Sequence, residues 1–291
     1  MTNHTSPIII IGAPRSGTNI LRDVLCALPG YTTWDCDEIN SIWKYNNFNI
    51  PHDCLVPSHA SPTVKAYVKK KFAHLLQSVG DPALRIVEKT CANSLRVDFV
   101  NEIFPSAKYI YIRRDPLFAI DSALNKSRVK SSLSYQLKKL RYVPKKHLFS
   151  VVSTFAYRRI LMSLPINSNL SWGPITEDFC HSHPELPAYK LLAIQWAKCV
   201  SMAERSLLPL SNQPFKVSAI TYESFVRSPT KILSKVLSEL NLSQFSNLNE
   251  IRSATASVHS DSLSREISLD RRSYAEILAL LDSLNVPSFF R

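Results

Sequence analysis

The hydrophobic pattern begins with an unbroken apolar run, Ile8 to Ile11, which ends at Gly12 and Pro14. Apolar residues return at helical spacing from about Thr18. A short apolar run that is bounded by Gly and Pro and followed by a periodic segment predicts a buried strand, a tight loop and a helix. Because the backbone N–H groups and the helix dipole would both face a ligand at such a loop, we expect an anion to bind there.

The same alternation continues along the chain. Further short apolar runs occupy residues 85–87, 109–112 and 215–220, and each adjoins a segment with helical periodicity. Strands that alternate with amphipathic helices favour a parallel sheet with right-handed crossovers. We therefore predict an α/β fold, a P-loop-like three-layer arrangement with a central parallel sheet flanked by helices, whose ligands lie at the carboxyl ends of the strands.

The length and the composition favour one elaborated domain. The chain has 291 residues, of which 45% are hydrophobic, enough for a sizeable core. We expect a single domain over residues 1–291, with a core of about 7–125 and 185–285 and a helical excursion of about 126–184 on the acceptor side.

Charge is distributed unevenly over this chain. Its net charge is +12, which favours an acidic partner or substrate and leaves nucleic acid, anionic lipid and acidic sugar as candidates. Residues 122–176 contain no Asp or Glu, but ten Lys and Arg residues. A solvated helix face is the usual explanation of such a run. Because acidic residues are absent throughout it, we interpret this block as an anion-facing surface above the strand ends.

The cysteines and histidines do not indicate a metal site. The six cysteines are scattered with no C-x-x-C pair, which predicts reduced thiols rather than a disulfide or metal framework. The His-Ser-His sequence at 181–183 lacks partner ligands at suitable spacing, and we interpret it as a loop. The N-terminus has no secretion signal pattern and the isoleucine run is too short to span a bilayer, so we expect a soluble, cytoplasmic protein.

The first loop departs from the loop of nucleoside triphosphatases. Gly12 and Gly17 have the spacing of G-x-x-x-x-G-K-[ST], but Thr18 stands where that motif has lysine. The positive charge lies inside the loop, at Arg15, and no strand that ends in a clear magnesium-binding aspartate follows. This pattern disfavours ATP hydrolysis and favours the binding of a phosphate-like group.

Four motifs, in order, resemble the sulfotransferases that use 3′-phosphoadenosine 5′-phosphosulfate (PAPS). They are GAPRSGTN in the first loop, EKTCANSLR at 88–96, FPSAKYIYIRRDPLFAIDS at 104–122 and ITYESFVRSPTKIL at 220–233. The resemblance covers residues from about 7 to 125 and from about 170 to 285 and is nearest to the bacterial, carbohydrate and protein-tyrosine branches. It implies PAPS as the donor and no metal.

The resemblance also implies two anion sites, because the donor carries a 5′-phosphosulfate and a separate 3′-phosphate. Arg114 and Ser122 match the family's arginine and serine at the 3′-phosphate, although Arg114 could instead pair with Asp115 at the surface. Tyr222 matches the family's tyrosine beside the adenine, or it is a core residue at a strand end. The loop residues that would surround the 5′-phosphate are Arg15, Ser16, Gly17, Thr18 and Asn19.

For catalysis, the resemblance nominates a base and two cations. Arg15 and Lys89 would stabilise negative charge on the bridging oxygen, unless Lys89 merely pairs with Glu88. Glu38 lies at about the place of the family's glutamate base, although it could also belong to a solvated acidic turn. The other candidates are Asp35, Asp37, His52 and His59 for the base and His259 and Ser260 for a late loop near the donor.

These observations predict a sulfotransferase that transfers a sulfuryl group to a hydroxyl by in-line displacement with a carboxylate base. The acceptor would be a small molecule or a glycan, such as an anionic carbohydrate or glycolipid, with an anionic membrane as a peripheral partner and no nucleic acid. Two alternatives remain: a P-loop nucleotide or small-molecule kinase, and a non-enzymatic binder of nucleic acid or of a membrane surface.

Overall fold

A sheet of parallel strands forms the centre of the molecule. The computed structural model describes residues 6–127, 141–144, 173–177, 186–243, 246–264 and 266–286. Within them the strands are β1 (Ile8–Ile11), β2 (Tyr31–Thr32), β3 (Arg85–Lys89), β4 (Lys108–Arg113) and β5 (Val217–Thr221). They pair in the order β2-β3-β1-β4-β5, and every pairing is parallel.

Helices connect these strands and cover both faces of the sheet. The α-helices in the described part of the chain are α1 (Thr18–Cys26), α2 (Asn40–Trp43), α3 (Pro62–Val79), α4 (Val97–Ile103), α5 (Pro116–Ser127), α6 (Ala188–Ser211), α7 (Tyr222–Arg227), α8 (Pro229–Glu239), α9 (Leu248–Thr255) and α10 (Arg271–Ser283). Short 3-10 helices occupy Pro57–His59, Cys91–Leu95 and Ser260–Leu263.

The central strand explains the layers. Successive side chains of β1 point to opposite faces of the sheet. Ile9 and Ile11 belong to a core cluster with the α3 residue Phe72, whereas Ile8 and Ile10 belong to a second cluster with the α1 residue Leu21. All four isoleucines are buried, as expected for a strand that is covered on both faces. The predicted three-layer α/β fold is confirmed.

The register brings the ends of three strands together. Ile10 of β1 lies opposite Lys89 of β3, and Ile11 lies opposite Tyr111 of β4. The loop after β1 is therefore flanked by the ends of β3 and β4. It lies where the direction of the connections reverses, since the chain passes from β1 to β2 on one side of the sheet and from β3 across β1 to β4 on the other. Such a switch point is where ligands of open parallel sheets bind.

Some elements were not predicted. Strand β2 has two residues and carries no periodic signal, and α3 follows a Pro-rich stretch. Most of the predicted basic excursion, 126–184, lies outside the described residues, which include only 126–127, 141–144 and 173–177 of it. Every helix in the described ranges is too short or too polar to cross a membrane.

Candidate functional site

The loop between β1 and α1 is tightly built. An added Cβ at Gly12 would lie 2.6 Å from the carbonyl oxygen of Ile112, so only glycine fits against β4. Gly17, the residue before α1, has φ +87°, in the left-handed region that glycine adopts without strain. Arg15 also has a positive φ, of 67°, which costs about 1–3 kcal/mol for a residue other than glycine.

Arg15 and the two residues predicted to hold the 3′-phosphate lie together. The Nε atom of Arg15 donates a hydrogen bond to Ser122 Oγ at 3.0 Å, and Arg114 Nη1 donates to the Arg15 carbonyl at 3.0 Å. β4 ends at Arg113, so Arg114 is the first residue after the strand, and Ser122 lies in α5. Two guanidinium groups and a hydroxyl from three segments thus meet at one end of the sheet.

Tyr222 completes this cluster from β5. The structure places it as the first residue of α7, where it is buried, rather than at the end of a strand. The Arg114 guanidinium lies over its ring, 4.4 Å from the centroid, a cation–π geometry. An added Cβ at Gly17 would lie 2.3 Å from the Tyr222 ring, so the ring also packs directly against the loop.

The polar groups of the loop differ in their surroundings. Ser16 Oγ is buried and has no hydrogen-bond partner among the described residues. Thr18 Oγ1 lies 3.9 Å from Cys91 Sγ, and Asn19 is exposed. Helix α1 has no acidic residue in its first turn, so nothing there opposes the binding of an anion at its N-terminus.

Glu38 and Lys89 form an ion pair beside this loop. Lys89 Nζ lies 3.3 Å from Glu38 Oε1, and the Cys91 backbone N–H donates to the same oxygen at 3.2 Å. The Lys89 side chain is 3% exposed and that of Glu38 is 26% exposed, so the carboxylate has access to solvent. Burial lowers the pKa of Lys89, but Cys91 and Glu38 outweigh it and the pKa lies above its ordinary value.

The segment that carries Glu38 is fixed on both sides. Arg22 of α1 lies 3.4 Å from the carboxylate of Asp37, and Thr90 Oγ1 accepts a hydrogen bond from the Ile39 backbone N–H at 3.2 Å. These contacts attach the turn to α1 and to the end of β3. Glu38 is therefore held at the sheet edge by its sequence neighbours.

The other base candidates have different contacts. Asp35 accepts a hydrogen bond from Tyr142, Asp37 pairs with Arg22, and His59 Nδ1 accepts one from the Val56 backbone. His52 lies 3.6 Å from Glu177. His259 and Ser260 are exposed, at the start of the 3-10 helix beside α7. Among these candidates for the general base, Glu38 is the one whose carboxylate contacts Lys89 in the described part of the structure.

A buried polar network next to Lys89 was missed in the sequence. Glu88 accepts hydrogen bonds from Trp43 Nε1 at 3.1 Å, Thr90 Oγ1 at 2.5 Å and Asn93 Nδ2 at 2.8 Å. Burial raises the pKa of the Glu88 carboxyl, against the effect of the hydrogen bonds from Thr90 and Trp43. Glu88 therefore does not pair with Lys89, and no spacing rule could have found its partners, which include a residue 45 positions away.

Comparison with known proteins agrees with this geometry. Residues 7–148 match the family model described as Sulfotransferase family. The sulfotransferase domain from the curacin biosynthetic pathway is similar in fold, with a TM-score of 0.52, 16% identity and coverage of 97% of this chain and 98% of that domain. Sulfotransferase STF9 from Mycobacterium avium has a TM-score of 0.51 and 12% identity, covering 100% of this chain and 79% of that one.

Among curated proteins no sequence matches the chain significantly. At identities of 16% and 12%, the two solved structures establish that the fold is shared. The family match goes further, because its range contains the first loop, the Glu38–Lys89 pair and Arg114 with Ser122. The similarity to the sulfotransferase family is thus to residues 7–148, slightly less than half of the chain.

Proposed function

We propose that this sulfotransferase takes its sulfuryl group from PAPS and transfers it to a hydroxyl of an acceptor, with Glu38 as the general base. The observation that carries the proposal is the meeting of Arg15, Arg114, Ser122 and Tyr222 at the carboxyl edge of the sheet. Four separate segments contribute to this cluster. Two guanidinium groups and a hydroxyl so arranged suit a ligand with more than one anionic group.

The residues of the loop fit the phosphates of such a donor. The Ser16 hydroxyl is buried without a described partner, and a buried hydroxyl of this kind is normally satisfied by a ligand or water. The N-terminus of α1 supplies backbone N–H groups for the 5′-phosphate, together with Gly17, Thr18 and Asn19. Arg114 and Ser122 hold the 3′-phosphate, and Tyr222 orients Arg114.

Glu38 and Lys89 then act as a pair. In the transfer, a bond forms between the acceptor oxygen and sulfur while the bond from sulfur to the donor phosphate breaks, and the hydroxyl proton passes to Glu38. Once protonated, the Glu38 carboxyl no longer neutralises the Lys89 ammonium, which lies 3.3 Å away. The positive charge of Lys89 then stabilises the departing phosphate oxygen. Arg15 contributes a second positive charge. The products are a sulfate ester and 3′,5′-bisphosphoadenosine (PAP).

The acceptor we propose is a carbohydrate or glycolipid hydroxyl near an anionic group. The support is the composition of residues 122–176, with ten positive and no negative side chains. A kinase is the less favoured alternative because Thr18 replaces the lysine of the nucleotide-binding loop. Turnover of neutral and anionic forms of one acceptor, in the presence of EDTA and over a salt series, tests the acceptor class and the expectation that no metal is required.

The donor site is tested by comparing PAP with 5′-AMP, which lacks the 3′-phosphate. We expect calorimetry to show tighter binding of PAP to the wild type. Arg114→Ala should weaken PAP roughly 10- to 100-fold, the effect of one charged hydrogen bond of about 1.5–3 kcal/mol, and leave 5′-AMP nearly unchanged. Arg205→Ala, which removes an exposed arginine from α6, is the control for net charge. Equal affinity of the wild type for both nucleotides would refute the assignment of the donor.

A further inference from the structure

Asp53 joins two segments of the chain that are far apart in sequence. Its carboxylate oxygen Oδ2 accepts a hydrogen bond from the Ile175 backbone N–H at 2.9 Å, while its own backbone N–H donates to the Ile175 carbonyl at 2.7 Å. The side chain is only 6% exposed. The short segment 173–177 is thus clamped to residue 53 by one side-chain and one backbone hydrogen bond.

The same carboxylate also holds the segment of the proposed base. Asn40 Nδ2 donates to Asp53 Oδ1 at 3.0 Å, and Asn40 is two residues from Glu38. Arg96 Nη2 donates to Asn40 Oδ1 at 2.6 Å, and Arg96 Nη1 lies 3.9 Å from Asp53 Oδ1. Lys44 Nζ lies 3.8 Å from that oxygen. The Asn40 amide is therefore fixed between an acceptor and a donor.

Arg96 connects this arrangement to the end of β3. Its side chain is completely buried, and its Nε donates to Asn93 Oδ1 at 2.9 Å. Asn93 in turn donates to Glu88, the neighbour of Lys89 in the strand. A continuous series of hydrogen bonds thus runs from segment 173–177 through Asp53 and Asn40 to the residue beside Lys89.

From this network we infer that Asp53 and Arg96 are positioning residues, which hold the turn of Glu38 and segment 173–177 as one unit against the end of β3. The inference depends on the proposed function only in that Glu38 is taken as the base. Because Asp53 contacts both segments through different oxygens, loss of one of its two acceptors releases one segment. A base displaced by about 1 Å is expected to lose up to about 100-fold in rate.

The direct test is Asp53→Asn, which replaces one acceptor oxygen by a donor at almost constant shape. In either orientation of the new side chain, its NH2 group lies opposite another donor, which is the Ile175 N–H in one orientation and the Asn40 amide in the other. We expect faster hydrogen exchange in one of the two segments, 36–44 or 173–177, depending on which contact the amide loses, with exchange in 12–26 unchanged. PAP affinity should stay within about twofold, because no hydrogen bond or ion pair in the described structure joins the donor loop to Asp53, Asn40 or Arg96.

The decisive control is the exchanged pair, Asn40→Asp with Asp53→Asn. It restores one carboxylate and one amide between Ile175 and Arg96, so that the three hydrogen bonds of this series can all form again. The longer approaches of Lys44 and of Arg96 Nη1 to residue 53 lose their charged partner. We expect this double variant to recover wild-type exchange in both segments. Asn40→Ala should loosen only residues 36–44, because the clamp between Asp53 and Ile175 remains, and it replaces Asp53→Asn if that variant does not fold.

Kinetics add a readout that general destabilisation would not give. The acceptor for this assay is whichever of a phenol, a monosaccharide and a simple alcohol the wild type sulfates best. With it, Asp53→Asn should lower kcat at least about tenfold while the KM for the donor stays constant, and the exchanged pair should restore kcat. Three results would overturn the inference: wild-type exchange in both segments of Asp53→Asn, wild-type exchange in residues 36–44 of Asn40→Ala, or failure of the exchanged pair to recover. Failure of the wild type to bind PAP would instead count against the proposed function and leave the exchange result valid.

Discussion

At the scale of single residues, the proposed reaction depends on the ion pair of Glu38 and Lys89. The carboxylate receives one hydrogen bond from the ammonium and one from the Cys91 backbone, both on the same oxygen. With 26% of its side chain exposed, Glu38 is accessible from solvent, whereas the Lys89 side chain, at 3%, is buried. In the proposed reaction the exposed carboxylate takes the proton and the buried ammonium provides a fixed charge.

We expect Glu38→Gln to lower kcat by about 10²- to 10⁴-fold, because the amide keeps the shape of the side chain but cannot accept the hydroxyl proton. PAP binding should change little, and calorimetry measures this separately from turnover. Glu102→Gln is the matched control: it makes the same change at an exposed carboxylate of α4, which pairs with Lys65. If the two variants had equal kcat, Glu38 would not be the base.

At the scale of elements, the start of α1 is held by contact with Tyr222. Gly17→Ala would put a methyl group 2.3 Å from the ring in addition to the strain of a positive φ. We expect a loss of about 1–3 kcal/mol in the free energy of unfolding and weaker PAP binding. Gly80→Ala provides the control, since Gly80 has φ +79° and no atom within 4 Å of the added Cβ. Denaturant unfolding measures the free energy of unfolding of both variants, and the difference between their losses reports the steric clash with Tyr222. Equal losses in the two variants would show that the added methyl group does not clash.

The sequence predicted those elements whose signal is local. The run Ile8–Ile11 and the periodicity after Thr18 define a strand and a helix within 20 residues, and both are confirmed. Strand β2 was missed because Tyr31–Thr32 is too short to show alternation. For Tyr222 the sequence left two interpretations, a residue beside the adenine or a core residue at a strand end. In the structure β5 ends at Thr221, which accepts a hydrogen bond from the Ser224 N–H, and Tyr222 begins the helix that follows.

Contacts between residues far apart in sequence could be predicted only where the resemblance to a family indicated that the residues share a site. The motifs indicated Arg15, Arg114, Ser122 and Glu38, and the fold brings the first three into contact. Nothing in the sequence indicated Asp53, whose partners in segment 173–177 are more than 100 residues away. Such a buried network depends on the mutual placement of loops, for which neither periodicity nor composition carries a signal.

At the scale of the whole molecule, the stability of the sheet is linked to pH through Lys216, just before β5. This buried side chain donates to the Pro105 carbonyl, and its ammonium lies 5.3 Å from the centroid of the Tyr109 ring. Burial, and secondarily Lys108, lowers the pKa of Lys216 from 10.5 to about 8. Between these values the unfolded chain retains a proton that the folded chain has released, so this group makes the folded state more stable as pH rises.

We therefore expect the free energy of unfolding of the wild type to rise between pH 8 and 10.5 relative to that of Lys216→Met, which lacks the titrating group. Denaturant unfolding at several pH values measures the difference, in which the other titrating groups cancel. Lys231→Met, which replaces an exposed lysine of α8, should run parallel to the wild type. A constant difference between wild type and Lys216→Met over this range would show that the ammonium is not perturbed.

The left-handed backbone of Arg15 has a consequence for the history of the site. At a φ of 67°, glycine or asparagine would be less strained than arginine. Without selection on the side chain, we expect substitutions to either residue to accumulate. Because this conformation costs a residue other than glycine about 1–3 kcal/mol, we expect selection for the guanidinium group to be what retains an arginine here. A descendant protein that abandoned anion chemistry should therefore lose Arg15 early, before its buried isoleucine strand changes.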